Sequence, residues 1–383
     1  MKIKITLLKI DQKVNHPIVR LTNNNPTFYS IYYYTILQLR KMLFLLCGGW
    51  NRIATANLTL KDKLNSAYRL FGNKYDVHKY KSDLLASYIL YGIDPVEYFL
   101  YDFPSLKHDE RRCFLSDRER KFGCKNILTW NTYYELKEKD VFYNLTSQYF
   151  KRDVCIVKKE VDFENFIDFI RKQPRFFAKP NDGTFGLGAE IINISDFDEE
   201  KKLFQYFISK NNTWVLEEII KQDPRMAVWN NSCVNTVRMT SFICADGKHV
   251  VLQPFIRTGR NGAIVDNAGA GGIFAVFDPE TGIVITDGVD ESGNRFKKHP
   301  DSNIIYRGWQ IPYYNELKSL TEIVHRSLPN YHKYVGFDFA LSNNGWLLVE
   351  GNWGQFVGQI AEQKGIRYQF EKLMGLPQDT CFE

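Results

Sequence analysis

Paired cysteines are the first thing this chain lacks. Its seven cysteines (Cys47, Cys113, Cys124, Cys155, Cys233, Cys244 and Cys381) are scattered, odd in number and never spaced as C-x-x-C. Neither a disulfide scaffold nor a structural zinc site is signalled, and a reducing, cytoplasmic setting is the simplest expectation. Histidine is scarce as well, at seven residues, with no G-x-S-x-G elbow and no local Cys/His signature. Covalent catalysis by a protein nucleophile is therefore not indicated. A Lys/Arg block is missing too. The net charge of +6 suits an anionic small ligand or substrate and gives no reason to expect nucleic acid. Finally, no apolar run approaches the ~20 residues that span a bilayer. "MLFLLCGGW" (42–50) stands behind the aromatic run "FYSIYYYTILQL" (28–39), and Arg40 and Lys41 interrupt them. Residues 1–55 read as an N-terminal extension with no transmembrane span. It either makes peripheral contact with a membrane surface or packs on the domain behind it.

What is present is ample apolar content, 44% of 383 residues, enough for two or three domains. Residues 61–112 place Leu, Tyr, Ile and Phe at three- and four-residue intervals, which predicts helices. "ELKEKDVFYNLTSQYF" (135–150) reads as one further helix, "DVCIV" (153–157) as a short strand, and "DFENFIDFIRKQ" (162–173) as an amphipathic helix. From Arg175 to about residue 355 most segments read as strands, "HVVLQPFIR" among them, with helices near 196–209, 315–328 and 361–374. The pattern predicts an α+β fold with largely antiparallel sheets.

Four stretches carry candidate chemistry. In "FFAKPNDGTFGLGAEII" (176–192) two strands flank a loop holding Gly183, Gly186 and Gly188, and Lys179 ends the first strand. Glycines let backbone N–H groups approach a polyanion, and the lysine supplies a point charge for phosphate oxygens. The flanking strands exclude both the dinucleotide fingerprint and the P-loop. The alternative is a plain flexible hairpin. In "VLEEIIKQDP" (215–224), Glu217 and Glu218 sit inside an apolar strand, either to meet a ligand's hydroxyl or amino group or as solvated acids on an edge. In "VNTVRM" (234–239) and "PFIRTGRNGAIVDNAGAGG" (254–272), Arg238 and Arg257 fall in neighbouring apolar strands and need anionic partners. A loop with Arg260, Asp266 and Asn267 follows. A substrate-embracing loop is one reading; salt bridges to Asp266 or Asp246 are the other.

The fourth stretch, "YVGFDFALSNNGWLLVEGNWG" (334–354), reads as a hairpin with a three-residue loop, Asn343, Asn344 and Gly345. That register sets Ser342 opposite Trp346 and Asp338 opposite Glu350, with Asn352 on the same face. Facing β-carbons lie ~4.5–5.5 Å apart, so one pKa should rise unless a cation intervenes. Two carboxylates and an amide oxygen suit Mg2+ or Mn2+, which takes few protein carboxylates together with substrate phosphates. A shared proton, or salt bridges to Arg238 or Arg257, is the alternative. Gly351, between the two candidate ligands, leaves its other face open to close packing.

In this order "AKPNDGTFGLG", "VLEEII", "NTVRM" and "GFDFALSNNGWLLVEGNWG" resemble the ATP-grasp superfamily, over roughly residues 130–375. They are similar in particular to its alpha-L-glutamate ligase-related, sugar-transfer-associated members. The resemblance implies an ATP-grasp fold, two α+β subdomains gripping ATP, at 130–222 and 223–383, behind an extension (1–55) and a helical region (56–129). It implies that Lys179 and the flap glycines hold ATP phosphates and that Glu217, Glu218 and Ile219 line the adenine and ribose site. Lys139 is the choice for a second nucleotide lysine, with Lys137 and Lys158 close by. Arg238, with Arg257 beside it, would stabilise the transferring phosphoryl group, and Asp338, Glu350 and Asn352 would bind Mg2+. The implied reaction joins a carboxylate to an amine or thiol through an acyl phosphate. Small-molecule carboxylate and amine or sugar substrates, and a glycosyltransferase or envelope-polysaccharide machinery as partner, are expected with it. Competing readings are a phosphotransferase acting on a sugar or polyol hydroxyl, a non-catalytic nucleotide-binding module, and a glycan-binding scaffold.

Overall fold

The computed structural model describes residues 62–376, apart from 81–82, 85–86, 89–90, 124–129, 182, 184–187, 261, 268, 270 and 354–355. The expected N-terminal extension and Gly186 lie outside the described residues. The chain divides into two compact units, one formed by residues 1–125 with 362–383 and one by residues 126–361. Among the described residues no helix is long and apolar enough to cross a membrane.

The first unit is helical and aromatic. Its helix Pro95–Leu100 starts at Asp94, whose Oδ1 accepts from the amides of Val96 at 2.8 Å and Glu97 at 3.0 Å, while Glu97 Oε2 accepts from the Asp94 amide at 3.0 Å. This reciprocal cap satisfies donors that the first helical turn leaves open. Behind it Tyr98, Phe103 and Phe114 are buried against one another. The segment after residue 362 returns to this unit. Buried Arg367 donates to Glu119 at 2.7 Å and to the carbonyl oxygens of Arg112 at 2.6 Å and Phe114 at 2.7 Å.

The second unit holds two antiparallel sheets. The smaller has the order β1 (Val154–Val157), β4 (Trp214–Glu218), β2 (Arg175–Pro180), β3 (Glu190–Asn193). Alternation along its strands sorts the side chains. Phe176, Ala178, Trp214 and Leu216 face an apolar core that the helices Phe163–Lys172 and Glu200–Ser209 complete. The opposite face carries Phe177, Lys179, Val215 and Glu217, where Phe177 pairs with Glu217 and Lys179 with Val215.

The larger sheet is eight-stranded. Its path is β10 (Arg295–Phe296), β9 (Gly288–Val289), β8 (Ile273–Val276), β7 (Phe255–Thr258), β5 (Thr236–Ile243), β11 (Tyr334–Ser342), β12 (Gly345–Asn352), and β6 (His249–Val251) pairs with β5 off this path. Val237, Met239, Ile256, Phe337 and Leu348 face a core shared with the helix Tyr314–Ser327.

Four local expectations need correction, the first being the helix near 361–374, which is two helices, Gly358–Glu362 and Arg367–Leu373. "HVVLQPFIR" is two strands, because Gln253 adopts a left-handed φ of 44° and Pro254 follows it, so β6 and β7 pair with different halves of β5. The helix expected over 135–150 breaks at Glu138, which is extended at ψ 111° and starts a new helix, Lys139–Thr146, after Trp130–Lys137. The hairpin turns through Asn343 and Asn344 alone, with Ser342 opposite Gly345 and Leu341 opposite Trp346. Asp338 still faces Glu350, because a β-bulge at Val349 restores the one-residue offset.

Candidate functional site

That bulge decides which way Glu350 points. Leu348 pairs with Phe339 on the core face, so regular alternation would send Val349 to the open face and Glu350 into the core. The extra residue absorbs one step, and Glu350 comes out opposite Asp338 on the open face. β5 completes the row, since Arg238 pairs with Asp338 on its other side. Arg257 enters from β7, where it pairs with Thr236. Asp338 is fully buried and is gripped by both arginines: Arg238 by Nε and by NH2 at 2.9 Å, Arg257 by NH2 at 2.8 Å. Burial alone would raise its pKa, but the two guanidinium charges outweigh that and hold the carboxyl well below its ordinary range. Glu350 moves the other way. Burial and the Asp338 charge push its pKa up, and a hydrogen bond links the two carboxyl groups. The arginine pairing that the sequence offered as an alternative is therefore present in this arrangement.

The same face holds the rest of the set. Asn352 Nδ2 donates to Asp338 Oδ2 at 3.4 Å. Arg257 Nε donates to Thr236 Oγ1 at 2.9 Å and lies 3.6 Å from Asp266, while its NH1 donates to Asn267 at 3.3 Å. Asp266 in turn accepts from the Thr236 amide at 2.9 Å. Asp246 does not meet these arginines and accepts from the Lys248 amide in its own turn at 3.0 Å. Gly351 is where β12 receives the helix Lys139–Thr146: a Cβ there would lie 2.3 Å from the Phe142 ring. The absence of a side chain at 351 thus lets that helix seat against the strand between Glu350 and Asn352.

A cleft between the two sheets gathers Lys139, Lys179 and Glu217 from one side and Glu350 and Gly351 from the other, over a floor of Phe142, Phe150 and Val215. Lys179 Nζ sits 2.9 Å from Glu217 Oε1. Lys139 Nζ donates to the backbone carbonyls of Asn181 at 3.0 Å and Gly183 at 2.5 Å, at the root of the glycine loop. Gly188, at φ 77°, closes the described part of that loop beside Pro180. Glu218 points elsewhere and accepts from the Asp153 amide at 3.1 Å. Ile219 follows β4 directly and is half-buried.

Sequence reasoning missed Arg152. Its Nε and NH2 donate to Glu217 Oε2 at 3.2 and 2.8 Å, and its NH1 donates to the carbonyl of Leu348 at 2.6 Å, beside the bulge. Lys151 Nζ covers the carbonyl of Trp346 at 3.0 Å, so the two residues cap the outer edge of β12. The only local signal was a basic pair just ahead of a strand. Its partner lies 65 residues away and is set by the β1–β4 register, in which Val154 faces Glu217.

Asp338, Glu350 and the Asn352 carboxamide bring to one face hard oxygens of the kind a divalent cation takes, with both Asp338 oxygens engaged by Arg238 and Arg257. Among the described residues no group of three or more His, Cys, Asp or Glu is placed to hold a metal ion. Few protein carboxylates with room for phosphate oxygens is the Mg2+ habit. Of the described cysteines, burial pushes the Cys155 and Cys233 thiols up to about 12.

Residues 126–374 match the family model described as sugar-transfer associated ATP-grasp. No curated protein matches the chain. Similar solved structures include a D-alanine–D-alanine ligase from Bacillus anthracis, at 14% identity and TM-score 0.36 over 64% of this chain and 66% of that one. A D-cycloserine synthetase is similar at 10% identity and TM-score 0.36, over 65% and 78%. The N5-carboxyaminoimidazole ribonucleotide synthetase of Thermotoga maritima follows at 14% and 0.35, over 64% and 50%. The match to the Bacillus anthracis ligase spans just under two thirds of that enzyme's length.

Proposed function

This chain belongs to the sugar-transfer associated ATP-grasp family, and on that premise we propose that it is an ATP- and Mg2+-dependent ligase joining a carboxylate to an amine or thiol. The observation that carries the reading is the cleft itself. Lys179 and Glu217 on one sheet stand across from Glu350 on the other, and Glu350 in turn faces Asp338, which Arg238 and Arg257 grip. In this assignment Lys179, with Lys139 and the glycine loop, holds the phosphates, and β4 with Glu217, Glu218 and Ile219 borders the purine and ribose. Asp338, Glu350 and Asn352 would hold the cation. When bound, that cation would neutralise phosphate charge and help orient the γ-phosphoryl group.

The chain's own part in the reaction is positioning and charge. A substrate carboxylate oxygen attacks the γ-phosphorus, the bond to the β–γ bridging oxygen breaks, and ADP leaves. Arg238 and Arg257 supply positive charge beside the transferring group. An amine or thiol then attacks the acyl carbon, loses its proton, and expels phosphate. No protein nucleophile is required, which agrees with the buried, high-pKa thiols. The family's association with sugar transfer favours a cell-envelope polysaccharide or its precursor as the destination, in the cytoplasm.

The test is to incubate the protein with ATP, Mg2+, pooled amino acids and pooled uronic-acid sugars, following ADP release and product mass. One pool should raise ADP and yield a condensed product, and Glu350→Gln should abolish both. If no pool raises ADP above background in the wild type, the ligase reading fails. A phosphorylated product without condensation would favour the phosphotransferase instead.

A further inference from the structure

Glu217 is a buried acid with two cationic partners. Its side chain is 6% exposed; Lys179 Nζ reaches Oε1 at 2.9 Å, and Arg152 takes Oε2 through Nε at 3.2 Å and NH2 at 2.8 Å. A carboxylate removed from water cannot lose its only counter-ion without a heavy desolvation penalty. A lysine that was the sole partner of such an acid would not be free to follow a phosphate. Arg152 removes that constraint. Its NH1 donates to the carbonyls of Leu348 at 2.6 Å and Phe150 at 3.2 Å, and its guanidinium lies 4.6 Å from the Phe150 ring centre. The Arg152 side chain is 3% exposed and its donors are fixed on backbone oxygens as well as on the acid. Lys179 is a single ammonium on a flexible stem at 13% exposure, and it lines the cleft. Of the two cations, the lysine is the one built to move.

We infer that Arg152 is the resident counter-ion of Glu217, a positioning residue whose hold on that acid releases the Lys179 ammonium to the phosphates of a bound nucleotide. The inference rests on the nucleotide site proposed above. Its consequence is a division of labour: Arg152 keeps the acid charged and in place, and Lys179 alternates between acid and phosphate. Because the same guanidinium holds the Leu348 carbonyl beside the bulge, Glu217 is also fixed relative to the strand that carries Glu350.

The test measures dissociation constants for ATP with Mg2+ and for adenosine, by calorimetric titration, in the wild type, Arg152→Met, Glu217→Gln and the double variant. The adenosine constant divided by the ATP constant reports what the phosphates add, with purine and ribose contributions divided out. Arg152→Met should lower that ratio by about tenfold or more, because Lys179 stays on Glu217. In the double variant the ratio should return to within about threefold of Glu217→Gln alone, since no acid then holds the lysine. Arg152→Lys, which keeps the charge but not the fork, should fall between wild type and Arg152→Met. A ratio unaffected by Arg152→Met overturns the inference, and so does a drop that persists in the double variant, which is what mere loss of packing would give. Thermal melts of Lys179→Met, Arg152→Met and their combination need no nucleotide. The lysine variant should cost little alone, and the pair should cost more than the sum. Additive melts overturn the inference even if the wild type binds no ATP. Non-additive melts with no ATP binding leave the counter-ion role standing and remove the nucleotide reading.

Discussion

On the four-stranded sheet one buried acid, Glu217, meets two cations, Lys179 and Arg152; on the eight-stranded sheet two facing acids, Asp338 and Glu350, meet Arg238 and Arg257. The first arrangement has a cation to spare for an anionic ligand. In the second, both arginines converge on Asp338, and Glu350 is left with a raised pKa beside a charged neighbour. On the proposed reading a triphosphate would take up the surplus on one side, and a divalent cation would offset the strained acid on the other. The two sheets thus offer complementary halves of one charge problem, which neither half would disclose alone.

The contrast can be broken most severely at Asp338. Asp338→Ala takes the paired acid from the buried Arg238 guanidinium and leaves Arg257 with only its longer ion pair to Asp266, and should cost about 3–5 kcal/mol in equilibrium unfolding. A cost below about 1 kcal/mol would show that the arginines do not depend on this acid. Gly351→Ala comes next. The new methyl would overlap the Phe142 ring, and overpacking of this kind costs about 1–3 kcal/mol. Combining it with Phe142→Leu should cost less than the sum of the two single changes in thermal melts, because the smaller side chain clears the methyl; strictly additive costs would mean the ring does not press on residue 351.

The smallest expected effect is a pH signature of the four-stranded sheet. Burial tends to raise the Glu217 pKa, but Arg152 and Lys179 outweigh it and depress the folded value below 4.5. The group therefore adds stability above its unfolded pKa, and that contribution is lost as pH falls through the folded value. Unfolding midpoints followed downward from neutral pH should fall more steeply for the wild type than for Glu217→Gln below pH 4.5. Parallel acid limbs would mean that the two cations do not favour the ionised acid.

Much of the acid row was legible because it is local: Asp338, Glu350 and Asn352 lie within one hairpin, and period-two alternation could be counted. The count reached the correct pair through an incorrect turn. A three-residue loop and a two-residue turn followed by a bulge give the same pairing at Asp338, and no residue type in "WLLVEGN" announces the bulge. The arginine row was half legible, since β5 and β7 are close in sequence but the grip of Arg238 on Asp338 spans 100 residues. Arg152 was not legible at all. Its role depends on β1 pairing with β4 and on an edge strand some 196 positions later, and neither leaves a local mark. The break at Glu138 escaped for a related reason: its side chain accepts from Asn181 Nδ2 at 2.5 Å, a contact 43 residues away. Periodicity reports neighbours along the chain, whereas this site is assembled across paired strands that lie far apart in sequence.

The most direct test of the central claim is a calorimetric titration of ATP into the wild type, Lys179→Met and Glu350→Gln, each with and without Mg2+. The account predicts saturable binding that Mg2+ strengthens in the wild type, a loss of about tenfold or more in Lys179→Met under both conditions, and a Glu350→Gln protein that binds ATP but no longer responds to Mg2+. Absence of ATP binding to the wild type, or binding that neither substitution alters, would contradict it.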